Sequence, residues 1–167
     1  DQVQRDDATT GLLNRKTFFE ILGVEVDRAE RFQRPLVLVL IGIDNIQTTV
    51  APVSEVECSA VLAAFAKLLR QGRANSDYVA RIGVHDFALL LPESSLPEAI
   101  EACAELRARM VEDQKVALDG WPHAMLTLSV GLGSKRPGEQ TDAFFSRAET
   151  LLRHAKRLGG DRVEWQV

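Results

Sequence analysis

The feature that most constrains the fold is a pair of short apolar stretches separated by a polar tip. The first stretch runs from Tyr78 to Ile82 and the second from Phe87 to Leu91, and a glycine begins the segment between them. Two apolar runs joined by a short connection of this kind are typical of a β-hairpin. The sequence therefore predicts a hairpin that presents His85 and Asp86 at its turn.

The remaining elements follow from hydrophobic periodicity and from helix boundary signals. We expect helices over about residues 15–33, 53–69, 97–111 and 143–158, and strands over about 36–43, 125–132 and 162–166. Asn14 and Asp142 are the predicted N-caps of the first and last helices. Strands that alternate with helices predict an α/β sandwich (α+β), in which a ferredoxin-like central mixed sheet with one hairpin is flanked by helices.

Composition limits the function classes. A chain of 167 residues with 46% hydrophobic and 26% charged residues is typical of one soluble globular domain. Its formal net charge of -4 argues against general nucleic-acid binding. The longest apolar run, Leu36–Ile43, is too short to span a bilayer. Two cysteines fit reduced thiols, so we expect a cytoplasmic domain that contacts neither nucleic acid nor membrane.

Four short motifs occur in a fixed order. They are Asp-Ala-Thr-Thr-Gly-Leu-Leu-Asn-Arg-Lys at 7–16, Gly-Val-His-Asp-Phe at 83–87, Leu-Ser-Val-Gly at 128–131 and Ala-Lys-Arg-Leu-Gly at 155–159. Together they resemble the N-terminal motif, signature hairpin, Ser-Ile-Gly strand and closing motif of the GGDEF domain, the diguanylate cyclase family. The resemblance implies a nucleotidyl-cyclase-like fold. It makes residues 11–167 a degenerate GGDEF domain, preceded at 1–10 by a linker or the end of a signalling helix.

The resemblance also identifies where metal-binding carboxylates belong. Active members of the family join two GTP molecules into cyclic di-GMP, with Mg²⁺ on carboxylates and one GTP on each subunit of a dimer. The metal positions fall on Gly42, His85 and Asp86, and Ile43 and Asp44 complete the stretch that follows the first core strand. Glycine supplies no carboxylate, and an imidazole is a poor Mg²⁺ ligand.

Other positions of the implied GTP site differ as well. In the signature hairpin, Gly83 and Phe87 are kept, but Val84 stands where the family has a second glycine close to the phosphates. The guanine-reading positions fall on Val50 and Ser59. Valine cannot hydrogen bond to the base, and serine is a weak substitute.

On the phosphate side, Lys156 is retained as a possible phosphate contact, while the family's next cationic position is Gly160. The product-inhibition site, Arg-x-x-Asp in the family, corresponds to Ala74–Asp77 here. Asp77 matches the motif, Ala74 replaces its arginine, and Arg73 lies one position early. This inhibitory site is therefore predicted to be degenerate.

These differences predict a catalytically inactive domain that is not an enzyme, with Mg²⁺ and GTP binding lost or weak. It would serve as a regulatory, dimerising or partner-docking module in bacterial cyclic di-GMP signalling, with an EAL or sensor domain in the same polypeptide. The pattern resembles FimX-type tandem GGDEF–EAL regulators of type IV pilus twitching motility. Two alternatives stay open: an allosteric sensor that binds GTP without cyclising it, and a weak diguanylate cyclase.

Overall fold

The computed structural model describes residues 4–46, 55–116, 121 and 126–167. Within them, the elements are α1 (Arg15–Phe32), β1 (Leu36–Asp44), α2 (Glu55–Arg70), β2 (Tyr78–Arg81), β3 (Asp86–Pro92), α3 (Leu96–Lys115), β4 (Thr127–Ser134), α4 (Thr141–Arg157) and β5 (Arg162–Gln166). The predicted α/β class is confirmed. None of the described helices is both long enough and apolar enough for a membrane crossing.

The five strands form one mixed sheet in the order β2-β3-β1-β4-β5. The central strand β1 is antiparallel to both of its neighbours, β3 and β4, while β5 runs parallel to β4. The segment from β1 to β4 has the βαββαβ order of a ferredoxin-like unit. The predicted hairpin is the pair β2 and β3 at one edge of the sheet.

Alternate residues of β1 point to two separate apolar layers. Val37, Val39 and Ile41 pack with the side chains of α2 and α3, whereas Leu38 and Leu40 pack with those of α1 and α4. A strand covered on both faces needs apolar residues at consecutive positions. The unbroken apolar run in the sequence therefore marks the centre of a three-layer fold.

One of the two predicted helix N-caps is confirmed and the other is wrong. The Asn14 side chain accepts a hydrogen bond from the backbone N–H of Thr17 at 2.9 Å, which confirms it as the N-cap of α1. The prediction that Asp142 caps the last helix is wrong, because the N-cap is Gln140. Asp142 lies instead in the first turn of α4, where a negative charge is favourable to the helix dipole.

Gly131 of β4 packs directly against the backbone of α4. A Cβ atom at this position would lie 2.3 Å from the backbone nitrogen of Leu152 and 2.6 Å from the carbonyl oxygen of Ala148. We predict that Gly131→Ala lowers the free energy of unfolding, measured by urea denaturation, by about 1–3 kcal/mol or more. The matched control is Gly23→Ala in α1, where an added Cβ meets no atom within 4 Å.

The control is expected to raise the free energy of unfolding by about 0.5–1 kcal/mol, because alanine loses less backbone entropy than glycine in a helix. Equal effects of the two substitutions would contradict the account of sheet–helix packing.

Candidate functional site

A cavity of about 610 Å³ opens where the turn after β1, the hairpin tip and the C-terminal end of α4 meet. Its described lining residues are Ile43, Asp44, Asn45, Ile46, Val84, His85, Asp86, Lys156, Gly159 and Gly160. Segments far apart in sequence therefore converge on one cavity. Ile46 is a lining residue that the sequence analysis did not identify.

One arginine side chain contacts two carbonyl oxygens of the hairpin tip. Nε of Arg81 donates to the carbonyl oxygen of Gly83 at 3.2 Å, and Nη2 donates to that of Val84 at 2.9 Å. Nη1 of the same guanidinium contacts the carboxylate of Asp7 at 3.2 Å, with both side chains mostly buried. The N-terminal motif therefore supports the signature hairpin through Arg81.

The base of the hairpin is anchored in the core. Phe87 is fully buried, and its ring lies 4.9 Å from that of Phe65 in α2, centroid to centroid. At the tip, an added Cβ on Gly83 would lie 2.9 Å from Oδ2 of Asp86, so a larger residue there would require the Asp86 side chain to shift. Val84 is 67% exposed, and it is not among the described residues with positive φ. Its branched side chain therefore causes no backbone strain of that kind.

Gly42 makes room for an ion pair. It lies opposite Asp86 in the β1–β3 ladder. An added Cβ on Gly42 would lie 2.8 Å from Cε of Lys156, and 3.1 Å from both Nζ of Lys156 and Oδ1 of Asp86. The lysine ammonium itself lies 3.3 Å from Oδ1 of Asp86. The Lys156–Asp86 pair therefore fills the space into which a carboxylate at position 42 would extend.

Asp44 serves as a structural tie. Its carboxylate accepts hydrogen bonds from the hydroxyls of Thr127 and Ser129, both at 2.8 Å, and from the backbone N–H of Asp161 at 3.0 Å. These bonds join the end of β1 to β4 and to the turn before β5. Gly160 has a φ of +75°, and an added Cβ there would lie 2.8 Å from Oδ2 of Asp44. A cationic side chain at position 160 would therefore be strained.

His85 is half-buried, and its carbonyl oxygen accepts a hydrogen bond from the backbone N–H of Ile43 at 3.1 Å. Burial lowers the pKa of its imidazole; the Asp86 carboxylate opposes this, and the cations Arg81 and Lys156 reinforce it. This lowered pKa keeps the imidazole neutral at neutral pH.

The donor set of this cavity does not fit Mg²⁺. Position 42 has no side-chain oxygen, Asp86 is paired with an ammonium, and Asp44 already accepts three hydrogen bonds. His85 offers nitrogen, whereas Mg²⁺ prefers oxygen ligands in octahedral geometry. Among the described residues, no group of three or more His, Cys, Asp or Glu side chains could hold a metal ion.

Neither of the two predicted guanine-reading positions is among the described lining residues of this cavity. Ser59 is exposed on α2 and is absent from the described lining of the cavity. Val50 lies outside the described residues. Both assignments stay predictions.

The inhibitory-site residues form a tight turn. The backbone N–H of Ala74 donates to Oδ2 of Asp77 at 3.0 Å, and the N–H of Asp77 donates to the carbonyl oxygen of Ala74 at 3.1 Å. Arg73 and Asp77 line a separate cavity of about 260 Å³, together with Glu98, Glu101 and Glu105. The three additional carboxylates would repel an anionic ligand.

Family membership follows from a sequence match along nearly the whole chain. The family described as "Diguanylate cyclase, GGDEF domain" matches residues 5–162. The chain belongs to the GGDEF family. Over 166 residues it is 33% identical to diguanylate cyclase DgcP of Pseudomonas aeruginosa, covering 98% of this chain and 24% of DgcP. The chain therefore spans about a quarter of the length of this curated relative.

Solved structures agree with the fold. The GGDEF domain of DgcB from Caulobacter crescentus, solved with c-di-GMP, superposes with a TM-score of 0.88 at 23% identity, covering 99% of this chain and 97% of that one. The FimX GGDEF domain from P. aeruginosa gives 0.85 at 25% identity, with 98% and 100% covered. P. aeruginosa SiaD, solved with its activator SiaC, gives 0.80 at 26% identity, with 96% and 61% covered.

The expectation that this domain is not an enzyme is wrong, because DgcP, a relative matched over nearly the whole chain, is a named diguanylate cyclase. That expectation equated the loss of individual side chains with the loss of the reaction. The fold nevertheless contains the cavity, and Lys156 is one of its lining residues. The assignment to the GGDEF domain of cyclic di-GMP signalling is confirmed.

The lowered pKa of His85 predicts how stability depends on pH. Because the folded chain holds this imidazole below its ordinary pKa of 6.5, the unfolded chain binds more protons near that pH. The stability gained from burying the neutral imidazole is therefore fully present above pH 6.5, and it is lost as the pH falls from 6.5 through the lowered pKa of the folded chain. We expect His85→Gln to lose less stability than the unchanged chain between about pH 7.5 and pH 5.5, measured by urea denaturation.

The matched control is His154→Gln, which removes an imidazole from an exposed position on α4. An unchanged pH dependence in His85→Gln would contradict the assignment of a neutral, half-buried imidazole.

Proposed function

We propose that this GGDEF domain binds GTP weakly in the cavity beside the hairpin tip and slowly joins two GTP molecules into cyclic di-GMP, with release of one pyrophosphate from each. The single observation that carries the proposal is the convergence of three segments of the family pattern on one cavity. Lys156 from the last turn of α4 lies at its edge, 3.3 Å from the hairpin carboxylate of Asp86. A lysine ammonium is a suitable partner for a phosphate group.

Phosphoryl transfer depends mainly on positioning and on charge stabilisation. Lys156 supplies a positive charge at the cavity, and the rigid hairpin sets the position of His85 and Asp86. No step is assigned to Mg²⁺, because the donor set does not fit this ion.

Several features predict that both binding and turnover are weak. The carboxylates of Asp44 and Asp86 face the cavity, and they oppose the approach of a triphosphate. Base recognition is reduced because Ser59 is exposed on α2. Each missing hydrogen bond of this kind costs on the order of 1–3 kcal/mol. We therefore expect GTP to be held mainly through its phosphates.

We further propose that the domain works within a longer signalling protein. DgcP is about four times as long as the matched segment, and SiaD was solved with a protein activator. A sensor or EAL domain in the same polypeptide is the neighbour that we propose. Joining two GTP molecules, each bound to one subunit, requires at least a transient homodimer.

The cytoplasm is the proposed location. Both cysteines are free thiols, as is typical of proteins in reducing compartments. Burial raises the pKa of Cys103 to about 12, so this thiol is unreactive in the folded protein.

The test is a product assay on the purified 167-residue chain with GTP, with cyclic di-GMP quantified by mass spectrometry. We expect slow product formation that rises more steeply than linearly with protein concentration, because two subunits act together. Lys156→Gln should lower the rate by about tenfold or more, since it removes a charge-assisted contact to phosphate.

Arg153→Gln is the matched control. It removes one positive charge from an exposed position of the same helix, outside the lining of the cavity. GTP binding without product at any protein concentration would refute slow synthesis. No GTP binding at all would refute the proposal entirely.

A further inference from the structure

We propose that the Lys156 ammonium, held by Asp86 in the space beside Gly42, takes the place of a metal ion, so that this domain binds the triphosphate of GTP without Mg²⁺. The inference rests on the proposed GTP binding and deepens it by assigning the cation that the site uses. It depends on the close approach of Gly42, Asp86 and Lys156.

Position 42 has no room for a side chain beside Lys156. The backbone of β1 at Gly42 lies so close to the lysine that an added Cβ would be 2.8 Å from its Cε and 3.1 Å from its Nζ. Contacts this short require the lysine to move. A carboxylate at position 42 and the observed lysine position are therefore mutually exclusive. Glycine at this position is what allows an organic cation to enter the space beside the strand.

The Lys156 ammonium keeps unused hydrogen-bonding capacity beside Asp86. A lysine ammonium has three donors and no acceptor. One donor is directed to Oδ1 of Asp86 at 3.3 Å. The remaining donors can reach phosphate oxygens, so that the ammonium would bridge a carboxylate and a phosphate. A metal ion would otherwise perform this bridging.

The Lys156–Asp86 ion pair can rearrange at a low energetic cost. The side chains of Lys156 and Asp86 are 44% and 38% exposed, respectively. An ion pair this accessible to water is only weakly stabilised, so the lysine can turn towards a phosphate at little cost. The other carboxylate of the described lining, that of Asp44, is held by three hydrogen bonds and does not compete for the lysine.

The proposal predicts the sign of the Mg²⁺ effect. A site that holds its nucleotide through a metal loses affinity when the metal is chelated. A site that holds it through an ammonium gains nothing from Mg²⁺, because Mg²⁺ neutralises part of the triphosphate charge to which the lysine is attracted. Affinity in EDTA should therefore equal or exceed affinity in Mg²⁺.

The test is isothermal titration of the 167-residue chain with GTP, once in Mg²⁺ and once in EDTA at matched ionic strength. We expect the Kd in EDTA to be equal to or lower than the Kd in Mg²⁺. Lys156→Gln should weaken binding by about tenfold or more in EDTA. Arg153→Gln, which makes the same change of charge on the same helix, should change the Kd by less than about twofold, because exposed charges are screened.

Three results would overturn the inference. Binding in Mg²⁺ that weakens by tenfold or more in EDTA would show that a metal is required, and it would leave the proposed function intact. Equal losses in Lys156→Gln and Arg153→Gln would show a general charge effect. Absence of GTP binding in both buffers would refute the proposed function along with this inference.

Discussion

The structure depends on the way the central strand β1 is enclosed. It is hydrogen bonded to β3 along one edge and to β4 along the other, and its two faces pack against separate helical layers. Such a strand has almost no freedom to shift. Its last residues, Gly42 to Asp44, therefore have fixed positions relative to the hairpin and the end of α4. The cavity is therefore built beside the end of this strand.

Two residues at that strand end have different roles. Asp44 uses its carboxylate to tie β1 to β4 and to the turn before β5. Gly42 leaves open space, and the Lys156–Asp86 pair fills it. The hydrogen bonds of Asp44 thus help to preserve the fold, while Gly42 alters the chemistry of the site. Membership of a family defined by its fold does not by itself determine how a given site binds its ligand.

Much of the fold could be predicted from sequence because its signals are local. The apolar run of β1, the hairpin pattern and the Asn14 cap each depend on neighbouring residues, and all three are present in the structure. The exception among the caps is Asp142, because a cap residue and a residue of the first helical turn have similar sequence signals.

The site was harder to predict because its contacts join distant parts of the chain. The Lys156–Asp86 pair, the three donors to Asp44 and the Arg81–Asp7 pair each connect residues at least 70 positions apart in sequence. The combined differences from the family motifs, taken without the fold, predicted a loss of function. Only the folded arrangement reveals that a glycine and a lysine are spatially complementary.

In the proposed complex, Lys156 itself contacts the nucleotide. The most direct measurement is ¹⁵N NMR of the lysine side-chain ammonium groups, with the Lys156 signal assigned by comparison with Lys156→Gln, during titration with GTP in EDTA. The account predicts that the Lys156 signal shifts and that its exchange with water slows as GTP binds. An unchanged Lys156 signal under conditions in which GTP binds would contradict it.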